Sequence, residues 1–188
     1  MNIKNSLRKA LLEGKHKNTT HKNEYGCLMV YLEVEEDTWG KLLEMIDDKD
    51  LYEPEGDSGY GKETEPHVTI LFGFHADIPD SDIEVEIDKI KTPKIEIEGI
   101  SSFKNELFDV LKFDVESDDM HALNKKFKKF PNTTKYPDYH PHGTIAYLKP
   151  GLSEKYIKKM KDFAGITIKP SHLIYSKSDG TKKTYNLN

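Results

Sequence analysis

Hydrophobic and polar positions change their period several times along the chain, from the two-residue alternation of strands to the longer repeat of helices. In the first half this pattern predicts strands over 26–34 and 66–74. It predicts a helix over 38–46, capped by Asp37. The acidic and aliphatic residues of 80–90 fit a helix or a strand, and a helix is the preferred interpretation.

The second half is predicted to contain the same kinds of element and a closing hairpin. Strands over 94–103 and 106–115, joined at Lys104-Asn105, come first, and they are followed by a helix that begins at a capping Asp118 or Asp119 and ends at Phe130. A strand over 141–148 and a helix over 154–163 come next, and this helix is capped by Ser153 and stopped by Gly165. The hairpin pairs 166–176 with 182–187.

One order of elements therefore occurs twice, namely strand, helix, strand, helix, strand, over about 26–103 and again over about 106–176. This repeat predicts an α+β fold of two pseudo-symmetric lobes, each an antiparallel sheet with flanking helices, and a cleft between the lobes. The predicted single bilobal domain covers 25–188. Residues 1–24 are predicted to form a polar N-terminal extension with a short amphipathic helix over 3–14.

The third element of each repeat carries the same motif, His67-Val68-Thr69-Ile70 in the first and His142-Gly143-Thr144-Ile145 in the second. Because side chains alternate along a strand, the His and the Thr of each motif share one face. Two such strands that meet would bring two imidazoles and two hydroxyls into one cleft.

A single His-x-Thr is more simply a strand histidine whose hydrogen bonds a neighbour satisfies, whereas the matched pair favours acid–base cleavage of a phosphate ester. One neutral imidazole would accept the proton of a ribose 2′-OH as that oxygen attacks phosphorus, and the other, protonated, would donate to the leaving 5′ oxygen. Thr69 and Thr144 would donate to the non-bridging oxygens. The sequence leaves open whether His67 or His142 is the base.

Composition and charge narrow the substrate. Hydrophobic residues make up 36% of the chain and charged residues 32%, and the formal net charge is −5. An acidic chain lacks the broad basic field with which proteins hold long nucleic acids, but a few local groups are enough for a small nucleotide. We therefore expect a small-molecule substrate and no long nucleic acid.

The single cysteine, Cys27, excludes an internal disulfide and fits a reducing compartment. The polar, basic start of the chain lacks the apolar stretch of a signal peptide, and no run is long enough to span a bilayer. These features predict a cytoplasmic protein without membrane association, with a monomer as the default state.

Neither a metal ion nor another cofactor is predicted. His140 and His142 form a His-x-His pair that is half of a metal site, but a complete site needs three or more converging ligands.

The residues around the motifs resemble a known group of enzymes. A duplicated His-x-Thr on paired strands is similar to the 2H phosphoesterase superfamily. The segments over 25–29, 65–73 and 139–147 (YGCLM, EPHVTILFG and YHPHGTIAY) resemble the phage anti-CBASS phosphodiesterases. This resemblance implies metal-independent hydrolysis of the 3′–5′ bonds of cyclic di- and trinucleotide immune signals such as cyclic GMP–AMP. The product would be a linear nucleotide ending in a 2′,3′-cyclic phosphate or a 3′-phosphate. For a viral enzyme, the host cytoplasm would be the place of action.

The same resemblance implies two substrate-binding residues. Phe103 matches the position of a base-stacking aromatic that is Trp in the anti-CBASS family, and Phe would stack less strongly; Tyr25 resembles a ligand contact of that family. Core packing is the alternative for both. Core positions are expected for Trp39 and for Tyr147, whose parity places it opposite the motif face, and His172 is expected on the surface.

Two other functions compete with the cyclic-nucleotide hydrolase. One is an RNA 2′,3′-cyclic phosphodiesterase, against which the acidic net charge counts. The other is a non-catalytic sponge for cyclic nucleotides, which has no need for the intact His and Thr of both motifs.

Overall fold

The structure is a computed structural model, and it describes residues 25–34, 36–57, 59–134, 136, 138–163 and 168–187. The N-terminal helix predicted over 3–14 and the helix stop predicted at Gly165 lie outside these residues.

The strands and helices follow the predicted order. The strands are β1 (Gly26–Val34), β2 (His67–Phe74), β3 (Glu96–Lys104), β4 (Asp109–Glu116), β5 (His142–Leu148), β6 (Ile168–Ser176) and β7 (Lys182–Asn186). The helices are α1 (Glu36–Glu44), α2 (Asp80–Ile87), α3 (Asp118–Phe127) and α4 (Ser153–Lys159), with short 3-10 helices at Asp48–Asp50 and Lys161–Phe163.

The strands form two antiparallel sheets, one in the order β2-β1-β6-β7 and the other in the order β3-β4-β5. The predicted fold class, α+β with two antiparallel sheets and flanking helices, is confirmed. The sheets do not follow the sequence repeat, however. β3 ends the first repeat but pairs with β4, and β6 ends the second repeat but pairs with β1. The four-stranded sheet therefore takes β6 and β7 from the second half of the chain, and the three-stranded sheet takes β3 from the first half.

One large hydrophobic core underlies both sheets and is lined by the helices. Leu28 and Val30 of β1 and Leu111 of β4 are fully buried in it. Trp39 of α1 lies in this core as predicted, packs edge-on against Phe113 with ring centroids 6.1 Å apart, and donates its indole N–H to a backbone carbonyl. The shared core holds the two sheets together and so fixes the position of the cleft.

The predicted helix caps were wrong at three positions. Helix α3 is capped by Ser117, whose side chain accepts a hydrogen bond from Met120 N, and neither Asp118 nor Asp119 is the cap. Extended backbone at Ser117 (φ −168°) aims its hydroxyl at the free N–H groups of the first turn.

Helix α1 begins at Glu36 and not at Thr38, so Asp37 lies within its first turn and not at the position before the helix. Ser153 is the first residue of α4, and its N–H is bonded by the Asp109 carboxylate at 3.1 Å instead. A carboxylate distant in sequence therefore accepts a hydrogen bond from one of the backbone N–H groups at the start of α4.

Candidate active site

The two motif strands meet because each forms one edge of its sheet. β2 is the edge strand of the four-stranded sheet, β5 is an edge of the three-stranded sheet, and the two strands are in contact. Within each sheet the neighbouring strand places Tyr31 opposite His67 and Asp114 opposite His142. The structure thus brings both motifs to one region.

Both imidazoles are anchored in the same way. His67 Nδ1 lies 2.8 Å from the carbonyl oxygen of Glu65, and His142 Nδ1 lies 2.7 Å from that of His140. A carbonyl only accepts hydrogen bonds, so each Nδ1 carries a proton, and the unprotonated nitrogen of each neutral ring is Nε2. The anchors therefore leave Nε2 of both rings as the atom that exchanges a proton with a substrate.

A β-bulge follows the Thr of each motif. Met29 pairs with Thr69 but Leu28 pairs with Leu71, so Ile70 is the extra residue of β2. In β5, Ile145 is the extra residue in the same way, because the partners of Lys112 and Leu111 are Thr144 and Ala146. Bulges of this kind occur next to active sites, where they redirect side chains.

The bulge corrects the prediction for Tyr147. One extra residue reverses the alternation, so Tyr147 returns to the face of His142 and Thr144, and its hydroxyl is hydrogen-bonded to that of Thr144. Tyr147 is buried, as predicted, in a small aromatic cluster with Tyr60 and Phe108. Phe72 holds the corresponding place after the bulge of β2.

Each motif threonine is supported by a buried protonated group. Thr69 is hydrogen-bonded to the Cys27 thiol, and burial raises the pKa of that thiol to about 12. Burial also raises the pKa of the Tyr147 hydroxyl beside Thr144. Because both partners stay protonated, each threonine hydroxyl lies beside an uncharged group and not beside a thiolate or a phenolate.

The electrostatic surroundings favour a neutral His142. Burial lowers the pKa of His142, and the carbonyl of His140 raises it. The cations of Lys112 and of a protonated His67 lower this pKa further, while the Asp114 carboxylate raises it. The contribution from His67 shows that the two imidazoles are close enough to interact.

The surroundings of His67 are aromatic. The Tyr31 ring stacks on the His67 imidazole with centroids 5.2 Å apart, and on its other side it stacks on His172 at 5.0 Å. His172 was expected on the surface as an ordinary polar residue. The structure places it half-buried on β6, one ring away from His67. Only the pairing of β1 with β6 brings it there, which no local pattern reveals.

The two residues predicted to bind substrate lie at different places. Phe103 is 39% exposed and meets the His142 imidazole edge-on, with ring centroids 4.9 Å apart. Tyr25 packs against Phe72 and His75 with centroids 6.2 and 6.0 Å apart, beside the end of β2 that is remote from His67. Their roles in binding stay predictions; Phe103 is the one beside a motif histidine.

The loop before β5 adds tyrosines that the sequence did not single out as site residues. The Tyr139 hydroxyl donates a hydrogen bond to the Thr69 carbonyl oxygen at 2.7 Å. Tyr136 is 51% exposed and lies close enough to Tyr147 to raise the pKa of the Tyr147 hydroxyl. Gly73 lets this loop approach, since a Cβ there would lie 2.2 Å from the Thr133 carbonyl oxygen. The loop thus joins both sheets.

The residues that the structure describes contain neither a metal-binding cluster nor a helix that could span a membrane. No group of three or more His, Cys, Asp or Glu side chains in this part of the chain is arranged to hold a metal ion. None of the helices described is long and apolar enough to cross a membrane.

Comparison with known proteins identifies the family. The model of the 2′-5′ RNA ligase superfamily matches residues 38–180. Among solved structures, Usb1 of Kluyveromyces marxianus is similar, with a TM-score of 0.56 and 10% identity over 88% of this chain and 99% of that one. The structure of the same protein with uridine monophosphate gives a TM-score of 0.54 at the same identity and coverage. No curated protein was found to match the sequence. The family match spans most of the chain, including both His-x-Thr strands, and the chain belongs to the 2′-5′ RNA ligase superfamily, of the 2H phosphoesterase type.

Proposed function

We propose that this protein is a phosphodiesterase that cleaves the 3′–5′ bonds of small cyclic oligonucleotides by attack of the ribose 2′-OH. The observation that carries the proposal is the matched pair of imidazoles on contacting edge strands, each held through Nδ1 by a carbonyl so that Nε2 serves the substrate. Membership in the superfamily supports phosphodiester chemistry.

The direction of proton transfer that we propose rests on the surroundings of His142. Burial lowers the pKa of His142, so its Nε2 is unprotonated near neutral pH and can accept the 2′-OH proton. His67 then donates to the leaving 5′ oxygen. A pair that works this way needs one ring in each protonation state, and general acid–base catalysis of this kind contributes about 10²–10⁴-fold per group.

The threonines act on the phosphate itself. Negative charge grows on the non-bridging oxygens as the 2′ oxygen attacks, and hydrogen-bond donors already aimed at them stabilise that charge. Thr69 and Thr144 alternate with the two histidines on the same faces of β2 and β5, so each hydroxyl lies beside one imidazole.

A cyclic substrate is favoured over long RNA by charge and by the exposed ring. The formal net charge of −5 disfavours a long anionic strand, whereas Phe103 offers a nucleobase an apolar surface beside His142. The resemblance of the motif segments to anti-CBASS enzymes points to cyclic di- or trinucleotide immune signals of bacteria, destroyed on behalf of a phage.

An RNA-end phosphodiesterase is the second candidate. The observation in its favour is the similarity of the fold to Usb1, one structure of which contains uridine monophosphate. This enzyme would use the same imidazoles on a 2′,3′-cyclic phosphate or at the end of a strand. The two candidates therefore differ in substrate and share the machinery.

Substrate panels separate these functions. The purified protein is incubated with 3′,3′-cyclic GMP–AMP, with a cyclic trinucleotide and with an RNA bearing a 2′,3′-cyclic phosphate, each with and without EDTA, and products are followed by chromatography. We expect cleavage of the cyclic oligonucleotides at a rate that EDTA leaves unchanged. Cleavage of the RNA alone would overturn the cyclic-nucleotide proposal, and binding without cleavage would indicate a sponge.

Two controls test the mechanism. A cyclic dinucleotide with 2′-deoxyribose on the attacking side should bind and resist cleavage, because the nucleophile is missing. His67→Gln and His142→Gln should each lower kcat by about 10²–10⁴-fold, while His121→Gln, a histidine of helix α3, serves as the matched control. Cleavage of the deoxy analogue would exclude 2′-OH attack.

A further inference from the structure

Lys112 is a buried cation inside the candidate site. It lies on β4 opposite Thr144, and the residue is 4% exposed. Its ammonium group donates to Ser101 Oγ at 2.7 Å, forms an ion pair with Asp114, and lies 4.3 Å from the centre of the Phe103 ring. These contacts hold the Lys112 ammonium among side chains of β3 and β4.

Burial of an ammonium group is costly even when it is paired, and replacing a buried ion pair with apolar side chains is often neutral or stabilising. Stability alone is thus a weak reason for Lys112 at this place. The pseudo-symmetric position in the other sheet is apolar, since the residue opposite Thr69 is Met29. The cation therefore distinguishes the surroundings of one motif from those of the other.

Lys112 is connected to His142 through two contacts. It lies beneath Phe103, whose ring meets the His142 imidazole edge-on at 4.9 Å. It also pairs with Asp114, the residue directly opposite His142 in the sheet. The charged groups that act on His142 within the described part of the chain are Lys112 and Asp114 of β4 and His67 of β2, whereas β3 contributes the uncharged Phe103 ring.

We propose that Lys112 is a positioning residue, which holds the Phe103 ring against His142 and opposes protonation of that imidazole, so that His142 is the proton acceptor of the pair. The proton-accepting role rests on the proposed function. The coupling between Lys112 and His142 does not, and it can be measured without a substrate.

The measurement is an NMR titration of the full chain labelled at its histidines, with His142→Gln to assign the His142 signals. The test variants are Lys112→Met, which keeps an unbranched apolar stem, and Asp114→Asn. The matched control is Lys104→Met, because Lys104 is an exposed lysine at the end of β3 that pairs with Glu154.

We expect the pH midpoint of the His142 titration to rise in Lys112→Met, because a nearby cation is lost. It should fall in Asp114→Asn, because a nearby anion is lost. Lys104→Met should leave it in place. The ring-current shift of the His142 signals caused by Phe103, measured against Phe103→Leu, should shrink in Lys112→Met. Opposite movements in the two test variants are not expected from general loosening of the fold.

An unchanged or lower midpoint in folded Lys112→Met, or an unchanged ring-current shift, would overturn the proposal. If Lys112→Met does not fold, Asp114→Asn decides in the same way, since an unmoved midpoint there contradicts control of His142 by this ion pair. In the active enzyme, the pH at which kcat/KM falls on the acidic side of its pH profile should shift together with the titration midpoint of His142. If no phosphodiester is cleaved by the unmodified protein, the proposed function fails while the titration still decides the coupling.

Discussion

Gly143 lies between His142 and Thr144 of the second motif, and the core has no room for a side chain at this position. A Cβ at this position would lie 2.0 Å from Cζ of Phe113 and 2.4 Å from Cε1 of the same ring. Carbon atoms in contact stay about 3.5 Å apart or more. In Gly143→Ala the ring or the strand therefore has to move by about 1.5 Å.

Neither the Phe113 ring nor strand β5 has room to move. Phe113 is 1% exposed and packs edge-on against Trp39, and β5 is held to β4 by the ladder around Gly143. Overpacking of a close-packed core typically costs about 1–3 kcal/mol. For a chain of 188 residues, this corresponds to a fall in Tm of about 2 to 12 °C. Activity should fall as well, because His142 is the neighbouring residue.

Thermal unfolding followed by circular dichroism measures the effect. Gly99→Ala on β3 is the matched control, because a Cβ there would meet nothing within 4 Å. The double variant Gly143→Ala with Phe113→Leu removes the crowded ring atoms. Its loss of stability should therefore be smaller than the sum of the losses in the two single variants. A Gly143→Ala variant with unchanged Tm and activity would refute this account of the packing, as would strict additivity in the double variant.

Four further outcomes are expected. The rate should fall toward acid pH as His142 becomes protonated, with the midpoint of kcat/KM below the ordinary histidine value because burial lowers this pKa; a midpoint above that value would contradict His142 as the acceptor. Phe103→Ala should weaken nucleotide binding by about 1–3 kcal/mol and Phe103→Trp should strengthen it, as measured by calorimetry, and equal affinities would exclude stacking. Thr144→Val should lower kcat more than it raises KM, whereas an effect on KM alone would assign it to ground-state binding. Ser117→Ala should cost about 1 kcal/mol in urea unfolding through the lost cap of α3, and a neutral result would mean that Met120 N finds another partner.

The alternation of side chains was enough to predict the motif strands and the faces that carry His67 and His142. It failed one residue beyond each threonine, because the bulges at Ile70 and Ile145 break a period that the sequence pattern treats as continuous. The predicted face of Tyr147 was wrong for this reason. Nothing in a lone isoleucine marks it as the extra residue of a strand.

Long-range strand pairing accounts for most of what the sequence did not reveal. The exchange of β3 and β6 between lobes depends on pairing between strands that are distant in sequence. His172 reaches Tyr31 only through that exchange. The predicted cap of α3 was wrong because Ser117, Asp118 and Asp119 are all residue types that cap helices well. The extended backbone at Ser117 decides between them.

Two identical motifs would by themselves give a site with two equivalent directions of proton transfer. The residues opposite the histidines remove this equivalence, because Tyr31 stacks on His67 while Asp114, paired with Lys112, stands opposite His142. A stacked ring restrains the imidazole plane without occupying Nε2, whereas an ion pair changes the cost of adding a proton. The sequence repeat therefore supplies two equivalent histidines, and in the mechanism we propose the differences between β1 and β4 decide which of them accepts the proton.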